Sequence, residues 1–482
     1  MTTHVLSVAS EAYPLVKTGG LADVVGALPA ALAIHDVRVT TLIPGYPALA
    51  DTLGQARVVH VYDDLLGVEA RLLAGEIAGY SLLVLDAPAL FARAGGLYGD
   101  RGGKDWPDNW RRFAALGRAG ADLASGAIPG HAFDIMHAHD WQAAMAAAYL
   151  RYAPGGGPAA KSVVTIHNIA FQGRFDASVF DSLGLPQGAF VLDGVEYYGG
   201  VGFLKAGLEA ADAITTVSPT YAQEICHGEY GMGLEGLITA RADRVSGIVN
   251  GIDPAVWDPA TDAALPARYS ARTLARRRAN KRAVEARFGL EPGDGPIFTV
   301  ISRLTWQKGM DVLVDSLDLL VGLGGRLALL GSGDAALEAA FLAAAERHAG
   351  RIGVIIGYDE PLSHMLQGGA DAILVPSRFE PCGLTQLYGL AYGCVPVVSR
   401  TGGLADTIID ANAAALGAGV ATGIQFADVT PDTLGVALRR AVALYQAPSM
   451  WLGLQRQGMK ADFSWRRSGR LYADLYAGLI DA

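Results

Sequence analysis

Residues 372–393 read AILVPSRFEPCGLTQLYGLAYG. Ala372–Val375 is a short continuous apolar run of the kind that forms a strand buried on both faces. Glu380 follows it directly, Pro381 and Gly383 set a tight turn, and a helix is predicted from about Leu384. The N-terminus of that helix, with free N–H groups and a partial positive charge, points back toward the strand end. Strand, polar turn and helix in this order build open parallel sheets, whose ligands bind beyond the carboxyl ends of the strands. The turn is thus where chemistry is sought first. Glu380 could hold sugar hydroxyls or stabilise positive charge, and Thr385 with the N–H groups of Cys382, Gly383 and Leu384 could hold phosphate. A plain helix cap would use the same residues without a ligand. Cys382 lacks an evident base beside it, so a nucleophilic role is set aside.

The same alternation runs through the chain. HVLSVAS (4–10), VRVTTLIP (37–44), DIMHAHD (134–140) and KSVVTIHN (161–168) recur between alanine-rich helical stretches in the first half. PIFTVISR (296–303), RLALLG (326–331), RIGVIIG (351–357) and VPVVSR (395–400) do so in the second. This predicts an α/β protein with parallel sheets covered on both faces. At 482 residues, two large lobes are expected. A Gly-, Pro- and Asp-rich stretch after residue 240 suggests residues 1–245 for the first lobe, 246–460 for the second, and a tail helix over 461–482. The basic run 271–290, ARTLARRRANKRAVEARFGL, is predicted as an amphipathic helix with a solvated charged face.

Hydrophobic residues at 51% and charged residues at 18% exclude a disordered chain. Mean hydropathy is positive, yet no run of about 18 apolar residues lacks a charge or breaker, so no membrane span is expected. A net charge of −10 argues against nucleic acid as a partner. Three cysteines, at 226, 382 and 394, give neither a disulfide framework nor metal spacing. The N-terminal residues lack a basic secretory leader, and a cytoplasmic protein is expected. Oligomeric state is not legible.

One hexapeptide, TGGLAD, occurs at 18–23 and again at 401–406. Paired glycines permit a tight turn and close approach of a ligand or another backbone. Lys17 precedes the first copy, so Lys17, Gly19 and Gly20 become candidates for holding an anion; the second copy equally suits a plain strand-to-helix turn. Arg303 and Lys308 follow the strand in PIFTVISRLTWQKG and offer a second cationic grip for phosphate oxygens. In DIMHAHDW, His137, His139 and Asp140 lie at a strand end. A metal site there lacks a matching further ligand, and an imidazole bonded to a substrate oxygen is favoured. His167 and Asn168 in HNIAFQG share that geometry. Tyr98 and Asp108, in GGLYGD and WPDNWRRF, suit a sugar chain or a loop packed on a core. GSGDAA at 331–336 approximates a dinucleotide fingerprint, with Asp359 near the place of a ribose-binding acid.

Read in order, SEAYPLVKTGGLADV, HAHDW, HNIAFQG, VNGIDPAVWDP, SRLTWQKG, PSRFEPCGLTQLYG and RTGGLADT resemble the bacterial glycogen synthases and, closely, the plant starch synthases. The resemblance runs nearly end to end. It implies a glycosyltransferase-B fold, two Rossmann-like domains of doubly wound parallel sheet around a deep cleft. It implies retaining transfer of glucose, usually from ADP-glucose, to the nonreducing end of an α-1,4-glucan such as glycogen, without metal or organic cofactor. Carried over by motif, Lys17 contacts the donor and Arg303 and Lys308 hold the diphosphate. Glu380 and the turn after it hold glucose and phosphate, and His139 lies by the reacting glucose. Asp108 and Tyr98 match looser motifs. Many retaining transferases of this fold carry a second Glu at the position of Tyr388, and Gly is common where this chain has Ala22. Use of UDP-glucose, a glycoside hydrolase with paired carboxylates and an NAD-dependent dehydrogenase are the competing expectations.

Overall fold

A computed structural model describes residues 2–49, 56–77, 79–152 and 160–481. The chain divides into two units, Met1–Asn250 with Trp465–Ala482, and Gly251–Ser464.

The second unit is built on six parallel strands in the order Ile352–Ile356, Arg326–Gly331, Ile297–Ile301, Ala372–Val375, Val395–Ser399, Ile424–Phe426. Counted along the unit this is 3-2-1-4-5-6, the order of a Rossmann sheet. Successive side chains enter opposite layers. Phe298, Val300, Leu327 and Leu329 join one buried cluster, and Ile297, Ala328 and Leu330 the other. That two-sided burial is why these strands read as continuous apolar runs.

The first unit is built on a nine-stranded sheet. Its parallel part runs Val245–Gly247, Ala213–Thr216, Lys161–Ile166, Ile135–His139, Thr3–Val8, Val37–Pro44, Tyr80–Asp86. The far edge departs from the expected parallel sheet. Ala70–Ile77 and Arg57–Tyr62 pair antiparallel. Only residues 63–69 connect those two strands, too few for a crossover, which needs about a dozen residues. A small three-stranded antiparallel sheet, Arg174–Phe175, Gly200–Gly202 and Glu196–Tyr197, adds to this unit. The C-terminal helix Trp465–Asp481 buries Trp465, Tyr472 and Tyr476 in one cluster with Val24, Leu28 and Val5.

The basic stretch near residue 280 corrects another expectation. Its helix, Arg277–Phe288, leaves Arg278 and Arg287 exposed but buries Arg277, Lys281 and Glu285. Arg277 donates to the carbonyls of Gln367, Ala370 and Tyr392, and Lys281 pairs with Asp371 at 2.7 Å. Carbonyls at the ends of the helices Glu360–Gly369 and Thr385–Tyr392 lack intrahelical partners, and Arg277 supplies donors. Among the described residues, no helix is long and apolar enough to cross a membrane.

Candidate active site

In both sheets Lys17, His139, Arg303, Lys308 and Glu380 lie at or after the two strands where the winding order reverses, the place where such sheets bind ligands, whereas His167 and Asn168 follow Lys161–Ile166, and Tyr98 and Asp108 come after Tyr80–Asp86. In the second unit the strands at the reversal are Ile297–Ile301 and Ala372–Val375. The loop after the first carries Arg303 and Lys308, and the loop after the second carries Glu380. Lys308 Nζ lies 2.5 Å from Glu380 Oε2, which also accepts from Ser377 Oγ at 2.8 Å. Lys308, Ser377, Glu380 and Thr385 line one small cavity, together with Ser302. Glu380 is buried, and its ion pair and Ser377 hydrogen bond compensate the desolvated charge. Arg303 is exposed on the same loop. Gly309 makes the loop possible: its φ is +66°, and a Cβ there would stand 1.9 Å from the Pro376 carbonyl oxygen.

The turn Cys382–Leu384 leads into helix Thr385–Tyr392, whose N-cap residue Leu384 provides no side-chain hydrogen bond. Cys382 is buried. The turn is fixed from behind by Gln386, whose Nε2 donates to the carbonyls of Cys382 and Gly383 at 3.0 Å each. Gln386 lies inside the segment 372–393, where nothing in the sequence distinguishes its amide from a solvent-facing one. Tyr388 stacks on Trp257 at 3.6 Å, and Trp257 stacks on His364 at 3.8 Å. Its ring thus belongs to a packed column, which accounts for an aromatic residue there.

In the first unit the strands at the reversal are Thr3–Val8 and Ile135–His139. Lys17 lies in the loop after the first, just before helix Gly20–Ala33, and pairs with Asp23 Oδ1 at 2.7 Å. Glu11 organises this loop. It is buried and accepts from the Thr18 N–H, from Thr18 Oγ1 at 2.8 Å and from Tyr98 OH at 2.6 Å. The sequence signal for Glu11 is an acid shortly after a strand, in SEAYP. Tyr98 is therefore placed against the Lys17 loop. Asp108 is held by Arg93 through two 2.7 Å hydrogen bonds. Burial pushes the Asp108 carboxyl up, but Arg93's hydrogen bonds and charge outweigh this and hold it below the usual range.

The two TGGLAD copies do different work. Gly19 is the N-cap of its helix, and a Cβ there would meet no atom within 4 Å, so this loop is open. Ala22 is buried, and its carbonyl accepts the Tyr13 N–H at 3.0 Å. In the second copy the Gly403 N–H donates to the Glu380 carbonyl at 3.1 Å, and a Cβ on Gly403 would stand 2.2 Å from the Cys382 carbonyl oxygen. That copy supports the Glu380–Cys382 backbone.

His139 is enclosed. Its Nδ1 shares a proton with His167 Nε2 at 3.0 Å, and its Nε2 is buried without a protein partner among the described residues. His137 bonds Tyr476 OH at 2.8 Å and Thr165. Asp140 accepts from the N–H groups of His167 at 2.7 Å and Asn168 at 3.3 Å. Asn168 Oδ1 accepts the Ala170 N–H at 3.1 Å. Among the described residues, no cluster of three or more His, Cys, Asp or Glu is placed to hold a metal. Burial lowers His137 and His167 to about 3 and His139 well below its usual value, so all three are neutral at physiological pH. Burial raises Asp140 to about 7.

The signs oppose. The imidazoles stabilise the fold fully above their unfolded pKa of about 6.5, and this is lost as pH falls toward 3. Protonated Asp140 stabilises at low pH, and this is lost as pH rises from about 4 to 7. Three histidines outweigh one acid, so near pH 5 these four groups should weaken the fold by roughly 2.7 kcal/mol per pH unit of acidification. Urea unfolding at pH 5 and 7 should show the slope. His167→Gln should remove about one proton from it, and an unchanged slope in that variant would refute neutral burial.

The GSGDAA loop is already occupied. Asp334 accepts from the Ala336 N–H at 2.8 Å and the Leu337 N–H at 3.3 Å, and Glu338 accepts the Gly333 N–H at 2.8 Å. Asp359 caps its own helix through the Leu362 N–H at 2.8 Å. Neither matches the open loop and free acid of a dinucleotide site.

Comparison with known proteins agrees with this layout. Residues 4–240 match the family described as starch synthase catalytic domain, and 282–447 match glycosyl transferases group 1. The chain is 67% identical to the glycogen synthase of Novosphingobium aromaticivorans, across 100% of this chain and 99% of that one. It is 62% identical to that of Mesorhizobium japonicum, across 99% of each. Among solved structures, the catalytic domain of starch synthase IV from Arabidopsis thaliana, bound to ADP and acarbose, superposes with a TM-score of 0.87 at 31% identity over 100% of both chains. Sucrose-phosphate synthase from Thermosynechococcus elongatus shares the fold at a TM-score of 0.61 and 19% identity over 99% of both chains.

Proposed function

Because this chain belongs to the glycogen synthase family, we infer its chemistry from that premise: it is a retaining glucosyltransferase that elongates an α-1,4-glucan from ADP-glucose. The observation that supports the residue roles most is the Lys308–Glu380 pair at the reversal of a Rossmann sheet, beside the N-terminus of helix Thr385–Tyr392. Arg303 and Lys308 take the diphosphate, Lys17 contributes to donor binding from its open loop, and the N–H groups of the turn at Cys382–Thr385 add neutral donors. Glu380, held by Lys308 and Ser377, faces the glucose.

The bond that breaks joins the anomeric carbon of glucose to the β-phosphate oxygen. Its electron pair leaves with ADP, and the cations stabilise that growing charge more in the transition state than in the ground state. The 4-hydroxyl oxygen of the acceptor attacks from the face that ADP leaves, which retains configuration, and its proton passes to the departing phosphate oxygen. Tyr98 holds the Lys17 loop through Glu11; His139, whose buried Nε2 has no protein partner among the described residues, lies by the reacting glucose; Asp108, His167 and Asn168 serve the acceptor sugar. The absence of a disulfide among the described residues suits a reducing, cytoplasmic setting.

The test is incubation of the pure protein with glycogen and either ADP-glucose or UDP-glucose, following nucleotide release and glucose incorporation together. Incorporation chiefly from ADP-glucose is expected. Preference for UDP-glucose would overturn the donor, and nucleotide release without incorporation would overturn the acceptor.

A further inference from the structure

Arg378 lies in the loop after Ala372–Val375, two residues before Glu380. Its backbone N–H donates to the Gln307 carbonyl at 2.8 Å. Its Nη1 donates to the Trp306 carbonyl at 2.7 Å. Both terminal nitrogens bond Asp311 at 2.7 Å, one to each carboxylate oxygen. The guanidinium also lies over the indole of Trp306, 4.4 Å from the ring centroid, although that indole is 62% exposed. Gln307 returns a hydrogen bond from Nε2 to the Phe379 carbonyl at 3.3 Å. One side chain thus grips the loop 303–309 and the start of the next helix, while standing on the loop of Glu380.

We propose that Arg378 is a positioning residue for glucosyl transfer, clamping the two loops so that Lys308 and Glu380 stay in register. The clamp touches neither Lys308 nor Glu380 and acts through residues on either side of Lys308 and through those just before Glu380. A guanidinium suits this task because its planar fork satisfies a carboxylate bidentately, stacks on an indole and reaches a carbonyl at once, which a lysine ammonium does not do. Asp311 completes the clamp. Arg378's hydrogen bonds hold its carboxyl below the usual carboxylate range, so it stays ionised as the solution turns mildly acidic. The proposal rests on Lys308 and Glu380 serving the reaction.

The test is a double-mutant cycle on the full chain, with kcat and KM for ADP-glucose and the thermal midpoint measured for each variant. Arg378→Ala should lower kcat about 10- to 100-fold, the loss that follows when a reacting group shifts by roughly 1 Å. Arg378→Lys, which keeps the charge but not the fork, should recover little of that loss. In a Lys308→Ala background, Arg378→Ala should have almost no further effect on kcat, because it acts through a group already removed. Additive losses, near-normal kcat in Arg378→Ala, or full rescue by lysine would overturn the clamp. Should Arg378→Ala fail to fold, Asp311→Asn carries the same cycle, with a smaller loss of about 3- to 10-fold expected. Near-normal turnover in Lys308→Ala alone would instead overturn the reading on which the clamp rests.

Discussion

Lys308→Ala is expected to lower kcat about 10²- to 10³-fold, the effect of removing one preorganised donor from a developing anion. The ammonium sits at the end of the loop after Ile297–Ile301 and is already oriented by Glu380 at 2.5 Å. It therefore needs little reorganisation as the diphosphate leaves. Among the described residues, the substitution also leaves buried Glu380 with Ser377 as its side-chain hydrogen-bond partner. Breaking a buried pair from one side costs about 3–5 kcal/mol, so the thermal midpoint should fall as well. Glu380→Gln separates the two effects. The amide keeps the shape and accepts from Ser377, so stability should recover while turnover remains low. A folded Lys308→Ala protein with near-normal kcat would remove Lys308 from the chemistry.

The repeated hexapeptide gives the second large effect, and its two copies should respond in opposite ways. Gly403→Ala drives a Cβ to 2.2 Å from the Cys382 carbonyl oxygen and 2.4 Å from Cys382 Cα. Both are backbone atoms of a turn that Gln386 pins, so neither yields easily. Destabilisation of about 3 kcal/mol is expected, at the upper end for overpacking, with a midpoint lowered by roughly 6–12 °C. Activity should be lost with it, because the same movement displaces Glu380, whose carbonyl accepts the Gly403 N–H. Gly19→Ala meets no atom within 4 Å. Its midpoint should hold within about 1 °C, and any loss should fall on KM for ADP-glucose. Equal destabilisation by the two would contradict the division of labour between them.

Much of this was legible because burial on both faces writes itself into the sequence. Continuous runs such as IFTVI and RLALL marked parallel strands, and the polar residues directly after them marked the strand ends where ligands are sought. What stayed hidden depends on tertiary partners. The antiparallel edge at Arg57–Ile77 follows from connection length more than from hydrophobic pattern. Arg277 and Lys281 sit in a run of basic residues that looks solvated, and only the approach of two helix ends shows why they are buried. Glu11 and Gln386 act on backbone groups distant in role, if not in sequence, from the motifs that drew attention to Lys17 and Glu380. His139 reads as a strand-end histidine bonded to a substrate oxygen, and the bond its imidazole makes to His167 inside the unit has no signal in the sequence.

The central claim is that the leaving diphosphate is held at the sheet reversal of the second unit. A crystal structure of the protein with ADP tests it most directly. The expected result places the phosphates within hydrogen-bond distance of Arg303, Lys308 and the N–H groups of the turn leading into Thr385. Phosphates bound at Gly331–Ala336 instead, with Asp334 displaced from its helix, would contradict the account.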